Sequence, residues 1–152
     1  MLDLGCGTGR LLNRLAKNFP ELKGIGVDLS PQMLKEARET NWHHPRLIFT
    51  QGNAECLPFA TKQFDAVFNT ISFLHYPNPQ QVFKEVSRVL KPEGQFYLVD
   101  YTRLDSSDSV PFSPGGIHFY SPKQREEFAN NSDLTTQDHH YLLGQVMLSR
   151  VC

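Results

Sequence analysis

Two rhythms of apolar residues run along the chain. Short runs such as Met1 to Leu4, GIGVD at Gly24 to Asp28, LIFTQ at Leu47 to Gln51, FDAVFN at Phe64 to Asn69 and QFYLVD at Gln95 to Asp100 have the length of buried strands. Between them the apolar positions recur three and four residues apart. Arg10 to Asn18 predicts a helix with Leu11, Leu12, Leu15, Ala16 and Phe19 on one face, ended by Pro20. Ser30 and Pro31 open a second helix whose inner face is Met33, Leu34 and Ala37. Asn78 and Pro79 open a third, with Val82, Phe83, Val86, Val89 and Leu90 as its stripe and Lys91-Pro92-Glu93-Gly94 as its stop.

After the fifth strand the pattern changes. Thr102 to Gly116 is rich in Ser, Asp, Pro and Gly and predicts a long loop, either a functional lid or a plain surface connection. Ser121 to Gln124 reads as a capping box opening a short helix. Thr135 to Leu142 and Gln145 to Val151 predict a final hairpin turning at Gly144. Strands alternating with helices call for an α/β fold: a mostly parallel sheet between two helical layers, with an antiparallel C-terminal hairpin. The link from the third strand to the fourth, Ala54 to Gln63, is short for a crossover and carries no helical pattern.

Composition narrows the function classes. The chain has 152 residues, the size of one domain, and a formal net charge of -1, which speaks against a sequence-independent nucleic-acid binder. Cys6, Cys56 and Cys152 are too few and too widely spaced for a disulfide framework or a zinc site, so a reducing, cytoplasmic setting is expected. No apolar run reaches the roughly 20 residues needed to span a bilayer. The adjacent pairs His43-His44 and His139-His140 point in different directions from a turn or a strand, and no metal is expected.

The candidate chemistry lies at the strand exits, where an open α/β sheet binds ligands. The first strand runs into Gly5-Cys6-Gly7-Thr8-Gly9; the second ends at Asp28, the third at Asn53 and the fourth at Asn69. A carboxylate at Asp28 suits two vicinal ribose hydroxyls, or alternatively caps the next helix. The glycine spacing is Gly-x-Gly-x-Gly, one residue tighter than the dinucleotide fingerprint, and lacks the Gly-Lys-Ser/Thr ending of a phosphate loop. A nicotinamide-dependent oxidoreductase is therefore disfavoured.

Taken in order, LDLGCGTG, GVDLS, GNAECLPF, FDAVFNTISFLHYPNP and RVLKPEG resemble the class I S-adenosylmethionine-dependent methyltransferases. The likeness is greatest to the small-molecule branch with a type 11-like domain. The resemblance implies a Rossmann-like, doubly wound fold and S-adenosylmethionine as cofactor. Asp3 and the Gly5, Cys6, Gly7 and Gly9 backbone would hold its methionine end. Asp28 would take the ribose, Leu29 the adenine face, and Asn53 and Ala54 the adenine edge. Asn69 and Thr70 would lie near the methionine portion, and Met33 belongs to the same implied set. Asn53 departs from the more usual Asp of that family.

The reaction implied is direct displacement onto a small-molecule acceptor, with His75, His118 and Tyr120 as candidate bases. The family carries helices before its first strand, whereas Met1 here lies within that strand. The expectation is thus a single domain, residues 1–152, truncated at its N-terminus, with one sheet face uncovered and a homodimer or partner chain to cover it. The opposing reading is a truncated or degenerate domain that binds the cofactor without turnover.

Overall fold

A computed structural model describes residues 1–102 and 116–152. The loop expected at Thr102 to Gly116 thus lies, apart from its ends, outside the described residues. Seven strands form one sheet in the order β3-β2-β1-β4-β5-β7-β6. They are β1 (Leu2–Leu4), β2 (Gly24–Asp28), β3 (Leu47–Gln51), β4 (Phe64–Thr70), β5 (Leu90–Tyr101), β6 (Thr136–Leu143) and β7 (Val146–Val151). The first five run parallel, and β7 pairs antiparallel with both β5 and β6. The expected sheet, with its C-terminal hairpin, is what the chain forms. The order reverses after β3, so β1 and β4 flank the switch point at which such sheets bind ligands.

Helices α1 (Arg10–Asn18), α2 (Pro31–Glu39), α3 (Pro79–Val89) and α4 (Pro122–Asn130) supply the layers. Three of the four have the caps expected from sequence: Ser30 accepts from Met33 N, Asn78 from Gln81 N, and Ser121 with Gln124 closes a full capping box. On one sheet face Leu2, Leu4, Val67, Phe96 and Leu98 pack against Val82, Phe83 and Val86 of α3. On the other, Leu47 and Phe49 meet Leu12 and Ala16 of α1 and Leu34 and Ala37 of α2.

Several expectations need correction. Phe19 is 57% exposed, because it lies at the C-cap with extended backbone, where helical phase no longer applies. Met33 is exposed, because Leu34 and Ala37 already fill the sheet-facing stripe one turn apart. Leu90 belongs to β5 rather than α3, and Lys91 to Gly94 form an irregularity inside that strand: Phe64 pairs with Leu90, but Ala66 pairs with Gln95. The hairpin strands each begin one residue later than expected, around a Gly144–Gln145 turn with Gly144 at φ 55°.

The short β3–β4 link has no helix because it does not need one. An ion-paired clamp on α3 holds it: Glu85 Oε2 accepts from Leu57 N at 2.6 Å, while Arg88 donates to Phe59 O at 2.7 Å and Leu57 O at 3.0 Å. Arg88 and Glu85 pair at 2.8 Å. At the other end of the sheet, buried Arg125 of α4 donates to the carbonyls of Met147, Asp100 and Tyr101 and to Ser149 Oγ. Burial lowers the Arg125 pKa to about 10, with Asp100 as its countercharge.

Candidate functional site

Gly5, Gly7 and Gly9 all adopt positive φ, at 65°, 52° and 74°. Each is glycine for a different reason. A Cβ on Gly5 would lie 2.3 Å from Ser72 Oγ and 2.9 Å from the Tyr76 hydroxyl. One on Gly9 would lie 2.6 Å from the Phe49 ring, so that glycine lets α1 close onto β3. One on Gly7 would meet nothing within 4 Å. Only Gly7 therefore faces open space; the other two are filled by the protein itself.

Asp28 closes this turn from the end of β2. Its Oδ2 accepts from Gly7 N at 2.8 Å and its Oδ1 from Ser30 N at 2.8 Å. It caps the start of α2 and at the same time holds the glycine turn. Each oxygen keeps a further lone pair.

A cavity of about 370 Å³ opens along the strand exits, lined by Gly5, Asp28, Leu29, Asn53, Ala54, Glu55, Ser72, His75 and Tyr76 among others. Leu29, although 68% exposed, forms part of its wall. The Oδ1 of Asn53 is spent on Glu55 N at 2.9 Å, which shapes the local turn. Its Nδ2 has no partner among the described residues. A larger cleft of about 570 Å³ lies beside α1 and α2, lined by Thr8 of the glycine turn and by Arg10, Arg14, Lys17 and Trp42.

Of the residues expected to hold the cofactor, five, Gly5, Asp28, Leu29, Asn53 and Ala54, share the strand-exit cavity. The rest do not line it. Asp3 is 1% exposed with both carboxylate oxygens unpartnered among the described residues. Burial, reinforced by the Asp28 charge, raises its pKa to about 7. Cys6 packs in the α1–α2 cluster, and burial pushes its thiol well above the usual range. Met33 stands exposed on α2. Asn69 is fully buried behind the wall, and Thr70 is the last residue of β4.

Of the candidate bases, His75 lines the cavity. His118 is fastened by its backbone N–H to Leu74 O at 2.9 Å. Tyr120 packs edge-on against Phe73 and Phe128 in the core, and burial raises its pKa. Ser72 and Tyr76 were missed by the sequence reading. Their only signal was position, within eight residues of the β4 exit.

Among the described residues there is no group of three or more potential metal ligands, and no helix is long and apolar enough to cross a membrane. His139 contacts Ser149 and Glu126 while His140 faces Asp138, so that pair diverges as expected.

Comparison with known proteins places this arrangement. Residues 2–98 match the family model described as a methyltransferase domain, and the chain belongs to that family, the class I S-adenosylmethionine-dependent methyltransferases. It is 34% identical over 137 residues to the malonyl-acyl-carrier-protein O-methyltransferase of Hahella chejuensis, covering 85% of this chain and 48% of that protein. It is 39% identical over 100 residues to the demethylmenaquinone methyltransferase of Chlorobaculum parvum, covering 66% of this chain and 40% of the relative. The chain thus spans less than half the length of either relative. Among solved structures, the PH0226 protein of Pyrococcus horikoshii superposes with a TM-score of 0.78 at 26% identity, covering 99% of this chain and 79% of that one.

Proposed function

We propose that this chain forms the cofactor-binding part of an S-adenosylmethionine-dependent methyltransferase that acts on a small-molecule acceptor by direct in-line displacement. The observation that carries the reading is Asp28: a carboxylate at the exit of β2, its two oxygens fixed by Gly7 N and Ser30 N, on the wall of a cavity of about 370 Å³. Such a group suits the vicinal hydroxyls of a ribose. Leu29 offers an apolar face to adenine, and Asn53 Nδ2 with the Ala54 backbone offers its edge polar partners. One further feature supports the fit: the open side of Gly7 admits a ligand against the backbone.

Bound there, the cofactor supplies an activated methyl group on a positively charged sulfur. The chain's own contribution is placement: holding the donor rigidly so that an acceptor approaches in line contributes several kcal/mol, with roughly 7–11 as the upper range. Where the acceptor must lose a proton, the removal falls to His75, the one candidate base on the cavity wall. The named activities of the two relatives support a small organic acceptor class.

Calorimetric titration tests the assignment. S-adenosylmethionine is expected to bind with one site per chain, and Asp28→Ala to abolish that binding. Binding of NAD without S-adenosylmethionine would overturn it. Transfer of a labelled methyl group to metabolite fractions then reads turnover; cofactor binding without transfer would instead make the domain a binding module.

A further inference from the structure

We propose that the cleft beside α1 and α2 is a second ligand site, suited to a nucleotide: Arg10, Arg14 and Lys17 hold its phosphate and Trp42 stacks on its base. The inference goes beyond the cofactor assignment and does not depend on it. The cleft, of about 570 Å³, is large enough for such a ligand and shares no lining residue with the cavity at the strand exits.

Its first ground is which cations the fold leaves unspent. Arg38 and Arg46 donate to backbone carbonyls, Arg88 and Arg125 to carbonyls and to Glu85 or Ser149, and Arg150 to Asp138. The side chains of Arg10 and Arg14 have no hydrogen-bond or ion-pair partner among the described residues. Both are exposed and both line the cleft, as does Lys17. Guanidinium forks match phosphate oxygens in pairs, which makes two such groups side by side a phosphate site.

The second ground is the charge pattern of α1. Arg10, Arg14 and Lys17 stand four and three residues apart on one helix face, a spacing at which like charges repel. Arg10 is also the first residue of the helix, where the dipole disfavours a cation. Helix α1 carries no acidic residue to offset this, whereas α2 has Glu36 and Glu39, α3 has Glu85, and α4 has Glu126 and Glu127. Glu36 of α2 is the one carboxylate lining the cleft, so its permanent charges leave a surplus of two positive. A phosphate monoester, with close to two negative charges at neutral pH, balances that surplus.

The third ground is Trp42, the one tryptophan of the chain, which is 87% exposed. The backbone on either side of it is fastened: Asn41 Nδ2 donates to Leu47 O at 2.9 Å, and His43 N donates to Asn41 Oδ1 at 3.0 Å. Arg46 Nη2 donates to His43 Nδ1 at 3.1 Å, which holds the next ring in place. A large apolar ring held in water on an anchored turn is a platform for stacking. An acidic peptide would answer the cations but not the indole; a nucleotide answers both.

Fluorescence of the single tryptophan reads the cleft directly. Uridine 5′-monophosphate is expected to quench it saturably, with Kd raised about tenfold by Arg10→Gln and by Arg14→Gln. Uridine, which lacks the phosphate, and inorganic phosphate, which lacks the base, are each expected to bind more weakly. A short oligouridylate that binds more tightly than the monophosphate identifies a single strand as the source of the nucleotide; equal affinities identify the free nucleotide. Saturating S-adenosylmethionine is expected to leave the monophosphate bound. The proposal is overturned by the absence of saturable quenching with either nucleotide probe, by a Kd unchanged in both arginine variants, by displacement with S-adenosylmethionine, or by preference for an oligoglutamate peptide over both nucleotides. Failure to bind nucleotide leaves the cofactor assignment standing, because calorimetry with S-adenosylmethionine alone reads that.

Discussion

Gly5 and Gly7 are two residues apart and share a positive φ, yet they serve opposite purposes. An alanine at either position incurs the left-handed penalty of roughly 1–2 kcal/mol. At Gly5 the new methyl also collides with Ser72 and Tyr76, so overpacking adds about 1–3 kcal/mol. At Gly7 it meets only open space. Gly5→Ala is therefore expected to lower the urea midpoint clearly more than Gly7→Ala, while Gly7→Ala loses S-adenosylmethionine affinity with the fold intact. Equal destabilisation of the two variants would contradict this division.

Asp3 gives a second residue-scale prediction. The native chain keeps its Asp3 proton up to about 7, whereas the unfolded chain loses it near 3.8. Between those values the native state binds more protons, so the contribution of Asp3 to stability falls as pH rises through that window. Asp3→Asn removes the dependence. It is expected to stabilise the free protein by a few kcal/mol at about pH 8 and by little at about pH 4, read from urea midpoints at the two pH values.

At the scale of elements, the β3–β4 link carries the cavity residues Asn53, Ala54 and Glu55 without a helix of its own. Its hold on the sheet comes from α3, through Glu85 and Arg88. Removing Arg88 frees two carbonyls and leaves Glu85 without its cation. Arg88→Ala is expected to cost about 2 kcal/mol in chemical denaturation and to speed amide exchange selectively between Asn53 and Phe59. The sequence marked this link as odd by its length but gave no sign of the clamp, because Glu85 and Arg88 look like any exposed i, i+3 pair on a helix. The same holds for α4: its capping box was legible, while the buried Arg125 that joins it to β5 and β7 looked like an ordinary surface arginine.

Across the whole molecule, the two faces of the sheet are finished differently. Beneath α3 and α4, Val67, Phe96, Leu98, Met147 and Val151 are fully buried. On the opposite face of β4, β5 and β7, Phe68, Tyr97, Val99 and Leu148 are only half-buried, with Phe68 and Tyr97 stacked at 4.9 Å. Helices α1 and α2 cover the β1–β3 half of that face and none of the described helices covers the rest.

The sequence by itself determined the elements, their caps, the parallel order with its antiparallel hairpin, and Asp28 with the glycine turn at the strand exits. These are local matters: periodicity, capping chemistry and turn residues act within a few positions of one another. Only the tertiary structure decided which glycine is open and which are packed, that Asp3 is stranded without partners among the described residues, and that Asn69 faces inward to hold Ser72 and Tyr76. The packed glycines depend on contacts with segments far away in the sequence, and Asn69 meets Ser72 and Tyr76 only because the chain turns back over the exit of β4. No periodicity in the sequence records such contacts.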